Sequence, residues 1–271
     1  MAGQAETAVR GYNGPMSETA ERNGVQSVTV AATILKGLAA AGGELPLKDI
    51  AAATGMPRAK VHRYLASLRA AGMIDQDAET GHYRIGSAAI AIGLVGLGRT
   101  SPVRLVQDAL PRLRDAIGET VTAAIWGDHG PTIVAMEESD HPVTMNVRIG
   151  SVLPLLSSVI GRVFLAFMPD TLTRPLISAE RRKHPSALPP KPDLSDLLAD
   201  IRRRKVCWAH SPLLPGVDAI AAPVFDYRGK LAAVVCAVGR SEVMRTDWNS
   251  PAVTALHEAG RDLSRRLGYA G

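Results

Sequence analysis

The sequence predicts an α+β protein in two unequal parts: a small N-terminal domain of three helices and a hairpin, and a larger domain with one central sheet. Three observations carry this. Apolar residues recur at helical spacing three times between Gln26 and Gly72. Two short strand-like runs, 73–76 and 82–85, flank a polar connection that contains Gly81. Past Gly118 the pattern changes to strand-like runs interleaved with helical ones, as one sheet packed by helices requires. With 271 residues, 46% of them hydrophobic, the chain has enough apolar material for two cores.

The first helix is expected from Gln26 to Ala41, with Val28, Ala31, Ile34, Leu35 and Leu38 at helical spacing and Gly42-Gly43 as its stop. A shorter one follows Pro46, through Leu47, Ile50 and Ala51, and ends at Thr54-Gly55. The third begins near Pro57, turns Val61, Tyr64, Leu65 and Leu68 inward, and ends at Gly72. Met73 to Gln76 then pairs with His82 to Ile85 across residues 77–81. Helix, helix, helix, hairpin is the order of a winged helix-turn-helix. A further helix runs from Ala88 to about Gly98, capped by Ser87, and its Ile90, Leu94 and Leu97 need a partner surface. Ser101-Pro102 starts another as N-cap and first helical residue.

In the larger part, runs at 121–126, 131–136 and 143–149 are expected to form an antiparallel meander. Helices are expected at 159–168 and 194–204 with the Pro-rich stretch 184–192 as a loop between them. Strands follow at 219–225 and 231–238, joined by the turn 226–229, and an amphipathic helix at 250–267 closes the chain. The expected domains are a flexible N-terminal arm at 1–23, the winged domain at 24–86, a linker helix at 87–100 and the larger domain at 101–271.

Composition narrows the function classes. Net charge is +5, a balance that favours polyanionic partners. Cys207 and Cys236 are the two cysteines, without CxxC spacing, which argues for a reducing compartment and against a zinc site. No apolar run reaches the roughly 20 residues that span a bilayer, so the expected location is the cytoplasm, with no membrane partner. GxSxG, HExxH, P-loop and strand-then-GxGxxG patterns are all missing, and the histidines are scattered, so neither an enzyme nor a cofactor is expected. Cys236 is the best single reactive candidate.

The third helix carries the strongest functional signal. Its apolar stripe leaves Arg58, Ala59, Lys60, His62 and Arg63 on the outside, next to Pro57 at the helix start. Side chains at the start of a recognition helix reach base edges in the major groove, lysine and arginine neutralise phosphates, and a small residue such as Ala59 permits close approach. A solvated charged face would explain the charges alone. It would not explain two preceding short helices and a hairpin carrying His82, Tyr83 and Arg84. Double-stranded DNA is the expected partner.

Over 25–98 the chain resembles the IclR-type bacterial transcriptional regulators, through "VQSV" at 25, "AATILKGLA" at 31, "LPLKDIAAATGMP" at 45, "VHRYLASLRAAGMI" at 61 and "ETGHYRIG" at 79. "GSVLPLLSSVIGRVFLAFMP" from 150 and "LPGVDAIAAPVFDYRGKLAAVVCAVG" from 214 look like the two most recognisable segments of that family's effector-binding domain. The resemblance implies a winged-helix reader, with Gln26 and Ser27 added to its DNA contacts, joined by a helix to a GAF-like sensor. It implies a homodimer or homotetramer on a pseudo-palindromic operator, controlling a catabolic operon. The implied effector site is lined by Leu153, Leu156, Ser157, Ser158, Val159, Ile160, Ala219, Cys236 and Val238.

Several positions depart from the family pattern. Leu156 replaces a frequent histidine, Val159 and Ile160 replace smaller residues, and Cys236 and Val238 stand where serines are common. Burying a carboxylate beside such a lining is costly, so the expected effector is small and neutral or weakly polar, with the Ser157 and Ser158 hydroxyls as its polar anchors. Two other classes stay open: a GAF-like thiol-dependent reductase using Cys236, and a DNA-binding protein that ignores ligands.

Overall fold

The computed structural model describes residues 25–99, 101–140, 147–183, 191–210, 216–242, 244, 247 and 250–271. The expected arm at 1–23 lies outside them. The described residues divide into two compact units, one ending at Arg99 and the other beginning beyond it.

In the first unit, α1 (Gln26–Ala41), α2 (Leu47–Thr54) and α3 (Arg58–Ala70) precede β1 (Ile74–Gln76) and β2 (Tyr83–Ile85). The glycine stops behave as expected: Gly42 and Gly55 end α1 and α2 in the left-handed region at φ 66° and 65°, where a side chain would be strained. Ile34, Leu38, Ile50, Val61, Leu65, Leu68 and Ile74 form the core. The hairpin is antiparallel, with Gln76 opposite Tyr83. A third backbone segment joins it: Tyr83 N–H donates to Leu45 O at 2.8 Å, and Leu45 N–H to Tyr83 O at 3.0 Å. Helix α4 (Ser87–Arg99) follows. Its Ile90, Ile92, Leu94 and Val95 are each more than half exposed. The side chain of Leu97 lies outside the described set.

The second unit begins with α5 (Pro102–Ile117), where the Ser101 hydroxyl accepts the Arg104 N–H as the expected cap. Five antiparallel strands follow in the order β4-β3-β7-β6-β5: β3 (Thr120–Gly127), β4 (Gly130–Glu137), β5 (Cys207–His210), β6 (Val217–Phe225) and β7 (Leu231–Arg240). Helices α5 and α9 (Pro251–Arg266) cover one face, burying Val106, Leu110, Leu256 and Leu263 against Val121, Ile220 and Val235. On the other face lie α6 (Val159–Phe167), α7 (Asp170–Lys183) and α8 (Lys191–Arg204), with Val163, Phe164 and Ile201 packed over Ala124, Ala221 and Cys236. The alternation of each strand thus feeds two cores.

Three expectations need correction. Of the expected meander the antiparallel pair β3 and β4 forms, and β3 also pairs on its other side with β7, from the far end of the chain, which the sequence reading did not anticipate. Residues 143–146 of the expected strand lie outside the described set, and 149–150 is a turn, where Gly150 has φ 90°. The segment that does run beside β4 is 150–153, held by Leu153 N–H to Pro131 O at 2.7 Å and a bridge between Thr132 and Val152. Helix α7 has no counterpart in the sequence reading, because its composition is polar and Pro175 lies inside it. Strand β5, four residues on the sheet edge, was likewise too short for an alternating signal.

Candidate functional site

Helix α3 presents the sequence-predicted face. Pro57 precedes its first turn with an extended backbone, and Pro57 O accepts from Lys60 N–H and Val61 N–H at 2.9 and 3.1 Å. Pro57, Arg58, Ala59, His62 and Arg63 are exposed and Lys60 is half-buried, opposite the core residues Val61, Leu65 and Leu68. Arg58, Lys60 and Arg63 form no ion pair with a described carboxylate. Among the described residues nothing neutralises their charge, as a face for an outside polyanion requires. Gln26 and Ser27, at the start of α1, are also exposed.

The hairpin behaves differently at its three expected contact residues. His82 is half-buried and Arg84 exposed, but the Arg84 guanidinium is held by Glu44 at 3.0 Å. Tyr83 is 6% exposed and belongs to the core. This overturns its assignment as a side-chain DNA contact, and the reason is the period of two in β2: Arg84 points out, so Tyr83 points in. At the hairpin tip the Asp77 carboxylate accepts from Thr80 N–H at 2.8 Å, from the Thr80 hydroxyl at 2.9 Å and from Glu79 N–H at 3.1 Å. These bonds, that from Thr80 N–H foremost, hold its carboxyl below the ordinary aspartate value. Arg69 donates to Gln76 at 2.8 Å and so ties the end of α3 to the hairpin.

In the second unit the expected effector residues largely converge. Val159, Ile160 and Cys236 belong to one core cluster, with Leu153, Ala219 and Val238 packed against it. Ala219 and Val238 are direct partners across β6 and β7. Leu156 is fully buried but lies outside that cluster. The turn into α6 is tight: a Cβ on Gly161 would lie 2.0 Å from Pro154 O, so only glycine lets the loop fold over the helix start.

The expected polar anchors are already engaged within the chain. The Ser158 hydroxyl donates to Pro154 O at 2.6 Å and accepts Gly161 N–H at 2.8 Å, capping α6. The Ser157 hydroxyl donates to Glu180 at 2.8 Å. The same carboxylate accepts Leu156 N–H and Ser157 N–H, both at 2.9 Å. Glu180 was invisible to sequence reasoning, since it lies more than twenty residues from its partners on a helix that was itself unread. Glu44 was missed for a similar reason, being 40 residues from Arg84.

Both thiols are buried, and desolvation pushes Cys236 and Cys207 up to about 12. Ala221 stands between them, opposite each in the ladder. Two strand spacings put their Cα atoms about 9.5 Å apart, beyond disulfide reach. Among the described residues no cluster of histidine, cysteine or carboxylate side chains could hold a metal ion, and no helix is long and apolar enough to cross a membrane.

A helix-turn-helix with a cationic second helix and a hairpin, followed by an α+β domain around one sheet, defines a DNA-binding regulator with a sensor module. Known proteins give the family. Residues 27–78 match the IclR helix-turn-helix domain and residues 97–265 the C-terminal domain of the bacterial transcriptional regulator IclR, so the chain belongs to the IclR family. It is 29% identical over 227 residues to the transcriptional repressor IclR of Escherichia coli, covering 81% of this chain and 82% of that one. The structure of HmgR from Pseudomonas aeruginosa is 39% identical, with a TM-score of 0.79, over 91% of this chain and all of that chain. An IclR homolog of Microbacterium hydrocarbonoxydans, solved in complex with 4-hydroxybenzoate, shares the fold at 20% identity and a TM-score of 0.50, over 89% of this chain and 98% of that one.

Proposed function

We propose that this protein is a ligand-responsive transcriptional regulator that binds a pseudo-palindromic operator as a homodimer or a pair of dimers and controls a catabolic operon. The observation that carries this reading is the unpaired cationic start of α3, where Arg58, Lys60 and Arg63 meet no described carboxylate. Such a face gains its charge compensation by displacing counterions from a DNA backbone. The exposed apolar residues of α4 support self-association, because a helix apolar around most of its circumference needs cover.

The effector is a small molecule, neutral or weakly polar, bound at the cluster of Leu153, Val159, Ile160, Ala219, Cys236 and Val238. Cys236 supports that chemistry: an environment that keeps a thiol protonated also disfavours a buried carboxylate. The distant homolog's 4-hydroxybenzoate makes aromatic acids the natural counter-test. Against the thiol-reductase alternative stand two neutral, buried sulfurs with Ala221 between them.

Selection of bound sequences from random duplex DNA tests the reading. A pseudo-palindrome with half-sites about one helical turn apart, or a multiple of it, is the expected result, and no enriched sequence overturns it. A panel of neutral and acidic metabolites then tests the effector, by thermal shift and by release of the selected DNA.

A further inference from the structure

Among the described residues one buried side-chain polar atom has no hydrogen-bond partner, the hydroxyl oxygen of Thr122. Thr122 is 2% exposed, in the middle of β3. A hydroxyl buried without a partner is a net cost to the free protein. Its position gives that cost a use. Thr122 stands directly opposite Cys236, Cys236 opposite Ala221, and Ala221 opposite Cys207. The four form one row across β3, β7, β6 and β5, on the face that α6 covers. No side chain in the row is larger than threonine, and the polar group nearest the Thr122 hydroxyl is the Cys236 thiol, a weak hydrogen-bonding partner.

Of the polar groups close to the effector cluster, the hydroxyls of Ser157 and Ser158 and the amides of Leu156 and Ser157 all have partners within the chain. We infer that Thr122 is the hydrogen-bonding anchor of the effector, receiving an uncharged hydroxyl group of a phenol or alcohol type, with the Cys236 thiol beside it. This rests on the effector reading above and gives it a chemistry. A ligand hydroxyl can both donate to and accept from Thr122, and it carries no charge into an environment that keeps thiols neutral.

The test uses the full-length protein, its Thr122→Val and Thr122→Ser variants, and two probes, methyl 4-hydroxybenzoate and methyl 4-methylbenzoate. Valine keeps the shape and removes the orphan hydroxyl, so ligand-free Thr122→Val should melt about 2–4 °C higher than wild type. Wild type and Thr122→Ser should bind the hydroxylated probe about tenfold more tightly than its methyl counterpart, and Thr122→Val should lose the preference. A ligand-free Thr122→Val that melts below wild type means the hydroxyl is satisfied within the free protein, and overturns the inference. So does a preference retained by Thr122→Val, which leaves the effector reading standing. Wild type that binds neither probe counts against the neutral-effector reading and takes the inference with it.

Discussion

Glu180 of α7 accepts three hydrogen bonds from the loop before α6, from the backbone N–H groups of Leu156 and Ser157 and from the Ser157 hydroxyl, at 2.8–2.9 Å. A buried carboxylate of the chain itself thus holds the loop that carries Leu153, Leu156, Ser157 and Ser158. Charge-assisted bonds of this kind are stronger than neutral ones, and they leave these amides unavailable to an effector.

Glu180→Gln keeps the size but sets an NH2 group against N–H donors. The expected loss is about 1–3 kcal/mol of stability in the second unit. Operator affinity at a temperature where the variant is folded should change less than effector affinity. Denaturation curves and paired DNA and ligand titrations check this.

Arg63 and Arg84 should separate in a gel shift. Arg63 is exposed on α3 without a described partner, so Arg63→Ala should weaken operator binding by about 1–3 kcal/mol and, if its contact is to phosphate, reduce the salt slope by about one. Arg84 is already neutralised by Glu44, so Arg84→Ala should cost less. Equal losses at two salt concentrations count against this ranking.

Tyr83 should act through the core. Tyr83→Ala removes a buried ring and is expected to cost about 3–5 kcal/mol of folding stability in the small domain. Tyr83→Phe should leave operator affinity at the wild-type value, which a base or phosphate contact through its hydroxyl would not allow.

Helix α4 tests assembly. Leu94 is 62% exposed, and Leu94→Glu sets a charge on a surface whose apolar character calls for a partner subunit. Sedimentation at micromolar concentration should show a shift toward monomer, with operator affinity lost in parallel. An unchanged assembly removes α4 from the interface.

The legible parts of the fold were those with local signals. The bounds of α1 were readable because apolar spacing ended at Gly42, and the cap of α5 because Ser101 stands before Pro102. What escaped depended on distant partners. Pro175 masked α7, four residues were too few to declare β5, and the neighbour of β3 came from the far end of the chain. The site divides likewise. The face of α3 follows from a period of 3.6, whereas Tyr83 was misplaced by reading three adjacent hairpin residues as one surface. Ser157 was readable as a polar residue in the loop, but that its hydroxyl is held by Glu180 is a fact of packing alone.

The two thiols give the protein an alkaline limit. Both are buried, and burial raises them from an ordinary 9.0 to about 12. Between those values the unfolded chain has lost protons that the folded chain retains, so the folded state binds more protons and stability falls as pH rises. The contribution is fully present below pH 9 and is lost progressively through the window from 9 to about 12. Cys207→Ala and Cys236→Ala remove the titrating groups at the cost of small cavities, so each variant should be less stable than wild type at pH 7 and lose stability less steeply above pH 9. Urea titrations at pH 7, 9 and 10 measure both effects. Below that window, at pH 8, the native thiols should resist alkylation by iodoacetamide, since the thiolate is the reacting species. Rapid labelling of Cys236 in the folded protein would mean a thiol open to solvent, and would reopen the reading of this protein as a thiol enzyme.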